Sequence, residues 1–171
     1  GLNVKRVWGQ DRFETNIEIL KEAGVTDEDI LVCTADGYAD SLSASAAKLP
    51  ILLVRGDELN AKQQKYLQTL KSKNYYVIGG NAAVTEKMEN ALKSYGNVTR
   101  LKGETRHETS VAIAETFFED IDTVVVAYSY NYPDGLCGGP LAAITDAPIL
   151  LIREKDEGFA MEYMSEFDIT K

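Results

Sequence analysis

Arg6-Val7-Trp8-Gly9-Gln10-Asp11-Arg12-Phe13-Glu14-Thr15 returns later in the same chain as Arg100-Leu101-Lys102-Gly103-Glu104-Thr105-Arg106-His107-Glu108-Thr109. Both stretches read R-x-x-G-x-x-R-x-E-T. A repeat of this kind is read before anything else, because it sets the fold. Outward from each copy the neighbouring sequence also matches. Phe13, Ile17, Leu20 and Ala23 recur at helical spacing and Gly24 ends the run, which predicts a helix over about 12–23 capped by Asp11 or Thr15. In the second copy Val111, Ile113, Ala114 and Phe117 carry the corresponding helix.

A continuous apolar run follows each helix, Ile30 to Ala35 in the first copy and Thr123 to Ala127 in the second. Such runs suit strands buried on both faces, as in parallel sheets. The turns match as well: Asp36 to Leu42 aligns with Tyr130 to Leu136, which puts Tyr132 on Tyr38 and Asp134 on Asp40. A small-residue helix comes next, four residues longer in the second copy, and then a second strand. Pro50-Ile51-Leu52-Leu53-Val54-Arg55 matches Pro148-Ile149-Leu150-Leu151-Ile152-Arg153. The first copy continues through an Asn60-capped helix over 61–72, a strand from Tyr75 to Ile78, the pair Gly79-Gly80, and a Thr85-capped helix over 85–94. The second copy gives a polar helix from about 156 and reaches Lys171 with no counterpart to the Tyr75 strand. Val4 to Trp8 reads as a short β-leaning stretch. Strands alternating with helices argue for βαβ units. The expected fold is therefore α/β, with tandem Rossmann-like open parallel sheets flanked by helices. One repeat (1–97) is complete and one (98–171) is truncated.

The 171 residues are 44% hydrophobic and 26% charged, a globular balance. The formal net charge of -9 speaks against a free-standing nucleic-acid binder. No apolar run reaches the roughly 20 residues that a membrane span needs. Cys33 and Cys137 do not fall at matching positions, and both read as small buried hydrophobes. With a single histidine, His107, and no Cys/His cluster, neither a metal site nor a cofactor is expected. Gly79-Gly80 lies between a strand and a helix but lacks the Walker and G-x-G-x-x-G patterns, so it reads as a tight turn. No nucleophile with a base and no carboxylate pair at a set separation is evident, so no catalytic residue is expected.

Taken together, the R-x-x-G-x-x-R-x-E-T openings, the Tyr-Ala-Asp and Tyr-Pro-Asp turns, the Pro-Ile-Leu-Leu strands and the Val-Ile-Gly-Gly strand resemble the cell-wall-binding repeat 2 family of clostridial surface proteins. The resemblance covers nearly the whole chain. It implies a Rossmann-like unit, used in sets of three, that holds surface proteins non-covalently to anionic polymers of the Gram-positive wall. It thus implies an extracellular place and an anionic wall polysaccharide as partner.

Arginine forks suit phosphate and carboxylate. Arg12 and Arg106 have two readings: polymer contact, or the favoured internal ion pairs Arg12–Asp40 and Arg106–Asp134. Arg55 and Arg153 follow buried strands and read equally as polymer contacts or solvated surface. Tyr38 and Tyr132, with Tyr130, offer faces on which sugar rings can stack, whereas Tyr75 and Tyr76 read as strand residues. An acidic body still binds a polyanion through a local basic cluster, because charges beyond about 10 Å are screened at moderate salt. The competing functions are a sugar-nucleotide or phosphoester enzyme on the same scaffold, and a protein–protein assembly module. The unmatched Tyr75 strand leads to one further expectation. The open sheet edge in the second copy should be covered by a third repeat, by another copy of the chain, or by a strand past Lys171.

Overall fold

The computed structural model describes residues 1–154, 157–167 and 169. The first sheet has the order β2-β1-β3-β4, all parallel, from β1 (Ile30–Thr34), β2 (Ile51–Val54), β3 (Asn74–Ile78) and β4 (Asn97–Leu101). The second sheet pairs β5 (Val125–Tyr128) with β6 (Ile149–Ile152), also parallel, and has two strands among the described residues. The helices between them are α1 (Arg12–Glu22), α2 (Ala39–Ala44, running into a tighter turn at Ser45–Ala47), α3 (Ala61–Leu67), α4 (Glu86–Leu92), α5 (Arg106–Phe117), α6 (Pro133–Thr145) and α7 (Gly158–Ser165). Parallel sheets with helical crossovers are the architecture the apolar runs indicate. The expected start of the last helix at about 156 falls outside the described residues, as does Lys171.

In the second copy the opening motif joins β4 to α5, and its Gly and Thr make the same contacts in both copies. Gly9 and Gly103 sit so close to the following helix that an added Cβ would overlap the Cβ of Glu14 or Glu108. Their N–H groups donate to Thr15 Oγ1 (2.9 Å) and Thr109 Oγ1 (3.1 Å). Asp11 and Thr105 cap the helices, and Glu108 returns the bond to Thr105 N–H, completing a capping box. Arg100 lies under the joint. It donates through Nε to Glu89 Oε2 (2.7 Å), through Nη1 to Gly79 O (2.7 Å) and through Nη2 to Val84 O (2.9 Å).

Residues 4–8 are the first copy's counterpart of β4, and here they form no strand. The β-leaning composition is the same, but β4 has β3 to pair with, whereas 4–8 have no adjacent strand among the described residues. β propensity alone does not hold a strand.

Two shells of apolar side chains enclose the first sheet. On one face Ile17, Leu20, Tyr66, Leu67, Met88 and Leu92 from α1, α3 and α4 cover Val32, Leu52 and Val77. On the other, Leu31, Cys33 and Ile78 meet Ala44 of α2 and Ile113 of α5, so the second copy's first helix closes the first copy's sheet. Phe117 of α5 also meets Tyr76 of β3 edge-on at 5.0 Å. Ala39 and Ala46 in turn pack into the core around Leu150 and Leu151 of the second sheet.

The copies approach closely because α6 is glycine-rich. A Cβ on Gly135 would stand 2.8 Å from Leu42 Cδ1, and one on Gly139 would stand 2.8 Å from Ser45 Oγ. Cys33 is buried as expected, but Cys137 is exposed. It lies on α6 beside Leu136, on the face turned away from the core.

Candidate functional site

The junction between the copies leaves a cleft of about 610 Å³ at the carboxyl ends of β1, β3 and β4. Parallel sheets gather ligand-facing loops at this end. The first copy contributes Thr34, Asp36 to Asp40, and the Gly79–Gly80 turn. The second contributes Gly103 to Arg106, Thr109 and Tyr130. Gly79 has φ of 94°, a conformation that favours glycine, and its N–H donates to Leu101 O at 2.8 Å. That donor is used up by the end of the neighbouring strand β4, consistent with a structural bend rather than a phosphate loop.

Arg12 and Arg106 begin equivalent helices and make equivalent bonds. Arg12 Nη1 donates to Ala35 O (2.6 Å) and Arg106 Nη1 to Ser129 O (2.8 Å), each a carbonyl just past a first strand. The expected pairs Arg12–Asp40 and Arg106–Asp134 are not formed. Asp40 instead faces Arg106 of the other copy. Burial pushes the Asp40 carboxyl above its ordinary value, and the Arg106 charge partly offsets this. The mispairing has a physical reason: α2 leans across the junction against α5, carrying Asp40 away from its own copy's arginine.

Arg55 is bound to Asp36 as a fork, through Nε to Oδ2 at 2.9 Å and through Nη2 to Oδ1, and its guanidinium lies 5.5 Å from the Phe13 ring. Arg153 lies 4.9 Å from the Tyr130 ring, and Arg106 lies 4.6 Å from the same ring. Tyr38 lines the cleft and meets Tyr132 edge-on at 5.8 Å. The structure therefore gathers Tyr38, Tyr132, Arg106 and Arg153 around the cleft, with Arg12 and Arg55 at the corresponding corner of the first copy. Tyr130 is the residue on which two of these arginines converge. Sequence reading gave it only a stacking role, because its aligned partner, Asp36, is of a different chemical type. Buried His107 shares a bond with Ser129 Oγ through Nε2 (2.8 Å) and sits beneath this corner.

Residues 6–89 and 100–167 each match the family model described as cell wall binding domain 2 (CWB2). The chain belongs to this family. Cwp6 from Clostridium difficile superposes with a TM-score of 0.87 at 27% identity, over 97% of this chain and 28% of that one. Cwp8 from the same organism gives 0.78 at 28% identity, over 88% of this chain and 28% of that one. N-acetylmuramoyl-L-alanine amidase LytC of Bacillus subtilis is 29% identical over 153 residues, which are 86% of this chain and 31% of LytC. The amidase enhancer of the same bacterium is 30% identical over 155 residues, 88% of this chain and 21% of its own length. The chain spans less than a third of each of these four proteins. It is a cell-wall-binding module with the α/β architecture of the clostridial wall proteins, and it associates with the wall or cell surface. Among the described residues no helix is long and apolar enough to cross a membrane.

Proposed function

We propose that this CWB2 module is a non-catalytic anchor that grips an anionic wall polysaccharide in the junction cleft, on the outer side of the cell. The observation that carries the reading is the convergence of Arg106 and Arg153 on Tyr130 at the rim of a cleft built from both copies. A local cluster of this kind supplies contact energy despite a net charge of -9. The relatives support the absence of catalysis. One named for amidase activity, one named an amidase enhancer, and two clostridial Cwp proteins share this segment, so the segment goes with what they have in common rather than with the amidase reaction.

The partner on the protein side is another unit of the same fold. Leu42 and Leu136 are equivalent, yet Leu42 is 7% exposed against the second copy while Leu136 is 62% exposed, with Leu141 and Ile144 also open on α6. The α2 face docks on α5 and β6, and the α6 face offers the same contact to a further unit. A head-to-tail contact of this sort continues until a ring closes it.

Pull-down with purified anionic wall polymer, run beside a nucleotide-binding screen, tests the reading. Retention by polymer is expected. Retention by nucleotide alone would move the chain to the enzyme class. Sedimentation velocity reads the second partner: concentration-dependent association is expected, and Leu136→Lys should weaken it. A monomer at all concentrations would leave the α6 face to a unit carried elsewhere in the same polypeptide.

A further inference from the structure

Asp40 enters the cleft from the first turn of α2 and stands against the Gly79 turn. A Cβ on Gly79 would lie 2.4 Å from Asp40 Oδ2, so the bare backbone at position 79 makes room for this carboxylate. The residue is half-buried, and among the described residues neither a hydrogen bond nor an ion pair reaches its carboxylate. Two nearby donors are spent elsewhere, Gly79 N–H on Leu101 O and Arg106 Nη1 on Ser129 O. The equivalent Asp134, on the open α6, is exposed, so the burial of Asp40 comes from the junction. A carboxylate withdrawn from water without donors destabilises the fold, and burial raises its pKa accordingly. Donors carried by a ligand would complete it. The rest of the lining bears on what those donors are. Asp36 and Glu104 are acidic too, and Arg106 is the one basic residue among the described lining. An anionic group therefore suits the Arg106 side and is repelled from the Asp40 side. A sugar ring has the donors that are missing: adjacent hydroxyls can both donate to one carboxylate, and its C–H face suits the rings of Tyr38 and Tyr130, which line the same cleft.

We propose that Asp40 is the sugar-reading residue of the cleft, accepting hydrogen bonds from adjacent hydroxyls of a wall-polysaccharide sugar while the polymer's anionic groups stay on the Arg106 side. This rests on the reading that the cleft takes an anionic wall polysaccharide, and it adds which edge of that polymer faces α2. It also lets the module tell a glycan from any other polyanion. A ligand without the hydroxyls leaves the carboxylate desolvated and unpaired, and a site built around a hydroxyl discriminates strongly on that ground. Arg106 attracts both kinds of polymer, whereas Asp40 repels a bare polyanion and accepts bonds from a hydroxylated one.

The test compares the full chain with its Asp40→Asn variant for equilibrium binding to purified anionic wall polysaccharide and to polyacrylate, a polyanion without hydroxyl groups. Asp40→Asn should weaken polysaccharide binding by roughly tenfold or more, the loss expected when bonds to a charged group are forfeited. The same variant should bind polyacrylate at least as well as the parent, because a repelling charge has gone. Removing the buried charge should not lower the melting curve, so unfolding cannot imitate the loss. A second measurement leaves the protein untouched. Periodate cleaves adjacent hydroxyls and spares the anionic groups, so periodate-treated polysaccharide should bind the parent as weakly as the intact polymer binds the variant. If the parent binds and Asp40→Asn stays within about twofold or binds the polysaccharide more tightly, the proposal falls while the wall-binding reading stands. A variant that loses polysaccharide and polyacrylate alike would show Asp40 acting only through the placement of Arg106, and the proposal falls again. If periodate leaves binding by the parent unchanged, the hydroxyl reading is wrong whatever the variant does. If the parent does not bind the intact polysaccharide, the wall-binding reading falls and takes the proposal with it.

Discussion

Replacing Arg100 with alanine removes three bonds at once, to Glu89 Oε2, Gly79 O and Val84 O. The Arg100 side chain is 12% exposed and that of Glu89 19%, so the pair is largely withdrawn from water. Breaking a buried pair by deleting one partner costs about 3–5 kcal/mol, because the remaining charge stays desolvated. Glu89 keeps some solvent and has Lys93 at 3.8 Å, which puts this case at the lower end, about 3 kcal/mol. For a chain of this size that corresponds to a fall in Tm of about 6–12 °C. Urea denaturation followed by circular dichroism gives the free energy, and calorimetry gives the Tm. Arg6 provides the matched control: it holds the same motif position but is exposed, so Arg6→Ala should stay within about 0.5 kcal/mol. A loss at Arg100 no larger than that at Arg6 would refute the claim that this arginine locks β4 into the first sheet.

At Gly103 an alanine Cβ would overlap Glu108 Cβ and stand 2.8 Å from its carbonyl carbon, so Gly103→Ala should destabilise by about 3 kcal/mol in the same denaturation assay. For Asp40 the folded-state carboxyl titrates above its unfolded value, so the charged form penalises the folded state at neutral pH, and the penalty fades as pH falls through the folded value. Asp40→Asn should therefore raise Tm at pH 7, with the difference from the parent shrinking towards about pH 4. Thiol titration of the native protein should detect Cys137 alone. Cys33 is fully buried, its thiol pushed up by desolvation, and should react only after denaturant is added.

Most elements were legible because their signals are local. Ile30 to Thr34 and Ile149 to Ile152 are apolar runs of strand length, and Asp11, Asn60 and Thr85 cap helices as their side chains allow. The site was legible as a set of residues but not as a set of pairs. Asp40 was matched to Arg12 because both lie in one copy, and alignment cannot reveal that α2 crosses to the other copy's arginine. Nor could composition separate 4–8 from β4, since the difference lies in whether a neighbouring strand exists. The difference between Tyr130 and Asp36 was visible from the start, but the convergence of Arg106 and Arg153 on the Tyr130 ring needed the structure. Cys137 was misplaced because glycine-rich α6 buries Gly135, Gly138 and Gly139 on one side and turns its larger residues outward.

β4 belongs to the second copy's opening motif yet is hydrogen-bonded into the first copy's sheet, five residues in register with β3. The period of the sequence and the period of the sheet are therefore out of phase. A duplication event that copies one sequence repeat hands each existing sheet its closing strand and brings a new sheet that waits for the next. Thermal unfolding inherits the same coupling: melting the second copy pulls an edge strand off the first and exposes the face that α5 covers. Neighbouring repeats coupled this strongly unfold as one cooperative block rather than one after another.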